Sequence, residues 1–281
     1  ALYCSIIELM RRDGFEFEYK WDSNFDYVTY SESYADEYNK MLQKFKTGGY
    51  IVKTSLSLER QNDILSLVSD TFDAVQESIG DSGNDLQTAV TVIDNLSGSV
   101  IAVIGGKNEP EVNLSLNRAF QSFKQPASTL KPLIDYTPLF EAGYKPDSMV
   151  NDLPIVDGPK NAGSSYKGLI TIRSAVECSS NVVAWNVFNE LTPDVALSYL
   201  TRMKFTKVVP DDYASPTSIG GMTYGANTTE MASAYSCLAN YGYWREPTCI
   251  LYIIDSNGSR FMPTTASEQI YSNDAANYMT D

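Results

Sequence analysis

Ala119-Phe-Gln-Ser-Phe-Lys-Gln-Pro-Ala-Ser-Thr-Leu-Lys-Pro132 is the stretch that decides how the rest of the chain reads. It places Ser128 and Lys131 three residues apart and runs into Leu133-Ile-Asp-Tyr-Thr-Pro-Leu-Phe140, a helix-compatible segment. If Ser128 opens that helix, the spacing predicts Lys131 one turn further along the same face, its amine within reach of the hydroxyl. A serine hydroxyl is a poor nucleophile until a base takes its proton, and a partly desolvated lysine is neutral enough to do so. The helix N-terminus adds backbone N–H groups aimed at an anion forming beside Ser128. A second Ser-x-x-Lys at Ser164–Lys167, in a Gly/Ser loop, shows that the tetrapeptide alone decides nothing. The surroundings of Ser128 must carry the argument.

Composition narrows the field. Acidic residues outnumber basic ones by 35 to 21, a net charge of −14 that argues against a nucleic-acid partner. The 281 residues contain no histidine, which excludes Ser-His-Asp and Cys-His triads and histidine metal sites, and leaves serine–lysine chemistry open. Cys4, Cys178, Cys237 and Cys249 form no Cys-x-x-Cys pair, so zinc is not expected; as disulfides they allow three pairings or none. No run reaches the ~18 apolar residues of a membrane span, and the start lacks the layout of a signal peptide.

In chain order, Ile6–Met10 predicts a short helix, Phe15–Trp21 a half-buried strand, and Ser31–Lys46 a helix with Tyr34, Tyr38 and Leu42 recurring four apart. Tyr50–Leu56 reads as a strand and Glu59–Gln76 as an amphipathic helix. A boundary is placed near Asp81–Asp85, giving a linker and N-terminal region over 1–84 and a second domain over 85–281. Thr88–Asp94 and Ser99–Ile104 predict a hairpin, and Cys249–Asp255 with Arg260–Met262 a second one across Asn257-Gly258. Asn151–Lys167 is a polar loop; helices are expected over Ile172–Leu191, Pro193–Met203 and Thr229–Tyr241. Strands at both ends with helices between predict an α+β fold with both hairpins in one antiparallel sheet.

Serine acyl transfer needs a proton-relaying hydroxyl and an amide to hold the substrate besides nucleophile and base. Ser179-Ser-Asn181 offers both, 51 residues after Ser128 and within a helical context; Ser82-Gly-Asn84 and Ser115-Leu-Asn117 match the tripeptide but not the order. The bland alternative for Ser179–Asn181 is a helix-capping turn. Four longer stretches then resemble the transpeptidase domain of class A, bifunctional penicillin-binding proteins. They are Asn117-Arg-Ala119 with Gln125–Pro132 and Glu141-Ala-Gly-Tyr-Lys-Pro-Asp147, Leu169–Ala184, Ser218–Tyr235 continuing to Ala239-Asn-Tyr-Gly242, and the linker-like Gly49–Gln61.

That resemblance implies the penicillin-binding and serine β-lactamase-like fold. It implies an extracytoplasmic enzyme that cross-links peptidoglycan stem peptides through a serine acyl-enzyme and is inhibited by β-lactams. Ser128 would be the nucleophile, Lys131 the base, Ser179 the relay and Asn181 the clamp on the donor peptide, with no cofactor or metal. Membrane attachment would come through a segment outside these residues. The third family motif is not found after Asn181. Lys46-Thr-Gly48 spells it, but upstream of Ser128, where it is a chance match, so the resemblance covers a domain whose last part is missing from these residues: either the polypeptide continues beyond Asp281, as one chain or a separate fragment, or the domain is a broken one. The rival enzymatic reading is a D,D-carboxypeptidase or β-lactamase using water as acceptor. The rival from another class is a catalytically silent scaffold that binds peptidoglycan.

Overall fold

The computed structural model describes residues 1–22, 24–79, 86–107 and 115–281. The chain opens with α1 (Leu2–Arg12) and α2 (Tyr27–Thr47), then β1 (Ile51–Thr54) and the long α3 (Leu58–Ile79). Ile6, Leu9 and Met10 of α1 meet Met41 of α2 in a small apolar cluster, and Phe15, Phe17, Tyr34 and Tyr38 pack around it. Residues 15–21 are extended but join no ladder among the described residues, so the strand expected there is not formed. The aromatic alternation has a different cause: Phe15 and Phe17 set their rings edge-on to Tyr34, at centroid distances of 6.0 and 6.3 Å, and so bury against a helix rather than a sheet. The proposed boundary at 81–85 and the Ser82-Gly-Asn84 copy lie outside the described residues.

The expected first hairpin is β2 (Val90–Ile93) paired antiparallel with β3 (Val100–Ile104). The second is β7 (Ile250–Ile254) with β8 (Arg260–Phe261), closed by Gly258 at a positive φ. They do not share one sheet. β7 is the centre of a three-stranded sheet with β1 on one side and β8 on the other, so neither side of β7 is left for β3. The hairpins meet instead at one bridge, Ser99 with Thr248, where Val100 N–H donates to Thr248 O at 2.9 Å. Below it Val100, Cys249, Ile250 and Ile253 form a shared apolar cluster. Two further pairs complete the strands: β4 (Met149–Asp152) with β5 (Gly168–Thr171), and β6 (Tyr243–Arg245) with β9 (Ser267–Gln269).

Between the hairpins lie the helices that carry the site. After α4 (Arg118–Gln121), the segment from Ala127 changes pitch twice: a 3₁₀ turn over Ala127–Leu130, a π turn over Pro132–Tyr136, then α5 (Thr137–Glu141). Proline explains part of this. In the π turn Thr137 N–H reaches Pro132 O, five residues back. The next carbonyl, Leu133 O, would need the N–H of residue 138, which is proline and has none. The Tyr271 hydroxyl donates to it instead, at 2.6 Å. Leu130, Leu133, Ile134 and Tyr136 of this segment are all at most 1 % exposed and anchor the main core. Packed around them are α6 (Ile172–Glu177), α7 (Asn181–Leu191), α8 (Pro193–Arg202), α9 (Thr228–Ala239) and α10 (Asn273–Thr280). Burying each large apolar side chain in such a core contributes ~1.5–3 kcal/mol, so the segment bearing Ser128 is held by the largest apolar cluster among the described residues.

Candidate active site

Lys131 is 1 % exposed. Its ammonium donates to Ser179 O at 2.7 Å, Ser179 Oγ at 3.1 Å and Asn181 Oδ1 at 2.6 Å. Burial lowers its pKa from 10.5 to about 8, against the opposing charge of Asp135 one turn on. A lysine that loses its proton near neutrality is what a base toward serine requires. Asp135 itself is fully buried, neither carboxyl oxygen has a hydrogen-bond partner, and burial raises its pKa well above the ordinary range. The buried, unpartnered Asp135 only partly offsets what burial does to Lys131, so the lysine's own pKa stays low.

Ser128 sits at the exposed rim, in the 3₁₀ turn that precedes Lys131. At three residues per turn, positions 128 and 131 eclipse, so both side chains leave the same side of the segment. Among the described residues, the Ser128 side chain makes no hydrogen bond to Lys131. Three of the four predicted side chains are therefore joined in one cluster, and the fourth stands one turn away at its mouth. Ser164 and Lys167 share no hydrogen bond with that cluster, and Lys46–Gly48 closes α2 in the N-terminal region.

The turn between α6 and α7 caps a helix and also brings Ser179 and Asn181 to Lys131. Ser180 caps α7, its Oγ accepting from Val183 N–H at 3.1 Å. Ser179 before it takes a left-handed conformation with φ 52°, which aims its hydroxyl at Lys131. Asn181 donates from Nδ2 to Lys160 O at 2.8 Å. Its backbone N–H meets Asn161 Oδ1 at 2.9 Å, and Asn161 also donates to Asp152 Oδ1 at 2.7 Å. Burial alone would raise Asp152; hydrogen bonds from Asn161, the Lys167 N–H and Ser180 outweigh it and hold the carboxyl below its ordinary value. Sequence reasoning did not single out Asn161 or Asp152, which fall at and inside the polar loop. The only available signal was the pairing of that loop with a serine-rich turn.

A second support was legible in part. The Gly-rich segment after Ser218 packs directly against the turn that bears Ser128. Gly220 has φ +85°, and a Cβ there would stand 2.2 Å from Ala127 O. Gln125 clamps the same segment through its side-chain amide, donating to Met222 O and accepting from Met222 N–H at 2.8 Å. Beside it, Lys124 and Ala226 exchange backbone hydrogen bonds at 3.0 and 2.9 Å.

Residues 88–281 match the penicillin binding protein transpeptidase domain. Penicillin-binding protein 1A of Clostridium perfringens is 29% identical over 245 residues, 79% of this chain and 36% of that protein. Penicillin-binding protein 1A of Neisseria flavescens is 34% identical over 215 residues, 71% of this chain and 25% of that protein. The chain thus spans about a third or less of the length of these curated relatives. Among solved structures, the PonA1 protein from Mycobacterium tuberculosis in complex with penicillin V superposes with a TM-score of 0.68 at 22% identity, covering 89% of this chain and 67% of that one.

Proposed function

Because the chain belongs to the penicillin-binding protein transpeptidase domain family, we propose that it is the D,D-transpeptidase part of a class A-like enzyme that cross-links peptidoglycan. The observation that carries this reading is the buried, low-pKa Lys131 hydrogen-bonded to both Ser179 and Asn181, one turn after an exposed Ser128. Ser128 Oγ attacks the carbonyl of the D-Ala-D-Ala bond as neutral Lys131 takes its proton. The backbone N–H of Ser128 is one donor to the resulting oxyanion. Ser179 passes the proton to the departing D-alanine nitrogen, and Asn181, on releasing Lys131 or Lys160, holds the donor peptide. An amine of a neighbouring stem peptide then attacks the acyl-enzyme, with Ser179 and Lys131 accepting its proton. β-Lactams acylate the same serine as mimics of the donor.

The matched span, 88–281, supports a transpeptidase domain over 85–281; a linker and N-terminal region over 1–84 is part of the proposal. The family's chemistry acts outside the cytoplasm. No described helix is long and apolar enough to cross a membrane, so attachment through another segment of the full-length protein is part of the proposal. The test supplies the full-length protein with a pentapeptide donor and an acceptor amine. Release of D-alanine together with an amide-linked product supports transpeptidation. D-alanine release without that product favours a carboxypeptidase, and neither favours a scaffold.

A further inference from the structure

Helix α1 is docked against residues 246–264, near the other end of the chain, by polar contacts specific to its orientation. Glu8 accepts from Thr264 N–H at 2.9 Å and Thr264 Oγ1 at 3.2 Å. Arg11 donates to Thr264 O at 3.2 Å and pairs with Glu246. The Arg12 guanidinium lies 4.0 Å from the centroid of the Phe261 ring. Glu246 is held in turn by Lys204 Nζ at 2.8 Å. Together these fix both the rotation and the position of α1 along β7 and β8.

Cys4 stands four residues before Glu8, on the same helical face. Its side chain packs against the apolar cluster that contains Cys249, close enough for each thiol to shift the other's pKa. Both are free; Cys4 is half-buried and Cys249 only 3 % exposed. The other two cysteines have different surroundings: Cys178 is exposed beside Ser179, and Cys237 is buried in the main core. Four cysteines permit three pairings, and contact selects one.

We propose that Cys4 and Cys249 form a redox site that closes to a disulfide in an oxidising compartment and staples α1 to β7. The compartment rests on the extracytoplasmic reading above; the pairing rests on geometry alone. One thiolate of the pair attacks a sulfur of a small-molecule disulfide and expels a thiolate, leaving a mixed disulfide. The second cysteine, deprotonated, attacks the protein sulfur and expels the other half. Two electrons and two protons pass from the protein thiols to the external disulfide, which leaves as two thiols. Each thiol perturbs the other, Cys4 lowering the pKa of Cys249 while its own is raised, which favours Cys249 as the attacking thiolate. Thr248 and Ile250 bracket Cys249, and its carbonyl accepts from Ser55 N–H at 2.9 Å, so β7 cannot swing away without breaking its pairing with β1.

The full-length protein is incubated with oxidised glutathione, its remaining thiols are alkylated, and it is digested without reduction for mass spectrometry. The expected product joins the Cys4 and Cys249 peptides, lighter than their sum by two hydrogens, and is lost on reduction. Cys4→Ser and Cys249→Ser each abolish it. Because the bond closes most of the chain into one loop, the oxidised protein melts at a higher temperature than the reduced protein. Recovery of Cys4 and Cys249 as separately alkylated peptides overturns the proposal, as does a cross-link to Cys178 or Cys237. A cross-linked sample that melts no higher than its reduced form overturns the staple. Penicillin labelling of Ser128 is read on the same samples, so loss of the cross-link with labelling intact condemns the pair and leaves the active-site reading standing.

Discussion

If Lys131 is the base, the rate at which Ser128 acylates must follow the fraction of Lys131 that is deprotonated. With the lysine at about 8, that fraction is ~1% at pH 6, ~10% at pH 7, half at pH 8 and ~90% at pH 9. The second-order rate constant with a fluorescent penicillin, measured by rapid quench, should therefore rise ~10-fold from pH 6 to 7, ~5-fold from 7 to 8 and ~2-fold from 8 to 9. Lys131→Met should lose ~10²–10⁴-fold and with it the slope. The same displacement has a stability side. A lysine whose folded pKa lies below its unfolded one contributes fully only above ~10.5, and that contribution is lost as pH falls through about 8. At pH 7 the gap corresponds to ~3 kcal/mol against folding, so Lys131→Met should raise the melting temperature while abolishing the rate, less whatever is lost with its hydrogen bonds to Ser179 and Asn181. A flat profile between pH 6 and 8, or a Lys131→Met enzyme that keeps the wild-type slope, would refute the assignment.

Asp135 titrates the opposite way. Its raised pKa makes it fully stabilising only below ~4, with the contribution lost as pH rises, so the melting-temperature advantage of Asp135→Asn over wild type should grow from pH 4 to 7; an advantage independent of pH contradicts a buried, unpartnered acid. Gly220→Ala should cost ~1–3 kcal/mol in denaturant titration and slow acylation, because the new Cβ meets the Ala127 backbone and the φ is left-handed; wild-type stability would mean that the two segments are not in contact. Tyr271→Phe should cost ~1–3 kcal/mol by leaving Leu133 O unpaired in the core, and an unchanged unfolding midpoint would show that another donor serves that carbonyl.

What could be read from the residues was local or carried by order. Ser128 and Lys131 are three apart, and three-residue spacing survives the change from an α to a 3₁₀ turn, so their shared side was legible although the pitch was not. The π turn that follows depends on Pro138 and on Tyr271, 138 residues after Leu133 in sequence. Ser179–Asn181 could be singled out because a capping turn favours the same small hydroxyl and amide side chains that the proposed relay and clamp require. The Phe15–Trp21 alternation misled because period two describes any extended segment with one face buried, whether the neighbour is a strand or the α2 helix. The single-sheet expectation failed on edges: pattern identifies β7 as a strand but does not say that β1 and β8 occupy both of its sides. Asn161 and Asp152 reach the α6–α7 turn, 19 to 28 residues on from them, and Cys4 joins the cluster of Cys249 across most of the chain; no local signal marks either.

The central claim is that one serine of this chain becomes covalently acylated. The measurement is peptide mapping by mass spectrometry of the full-length protein after reaction with a labelled penicillin, beside Ser128→Ala. The account predicts one adduct, on the peptide containing Ser128 and Lys131, absent from Ser128→Ala. Label on Ser164 or Ser179, or undiminished label in Ser128→Ala, would contradict it.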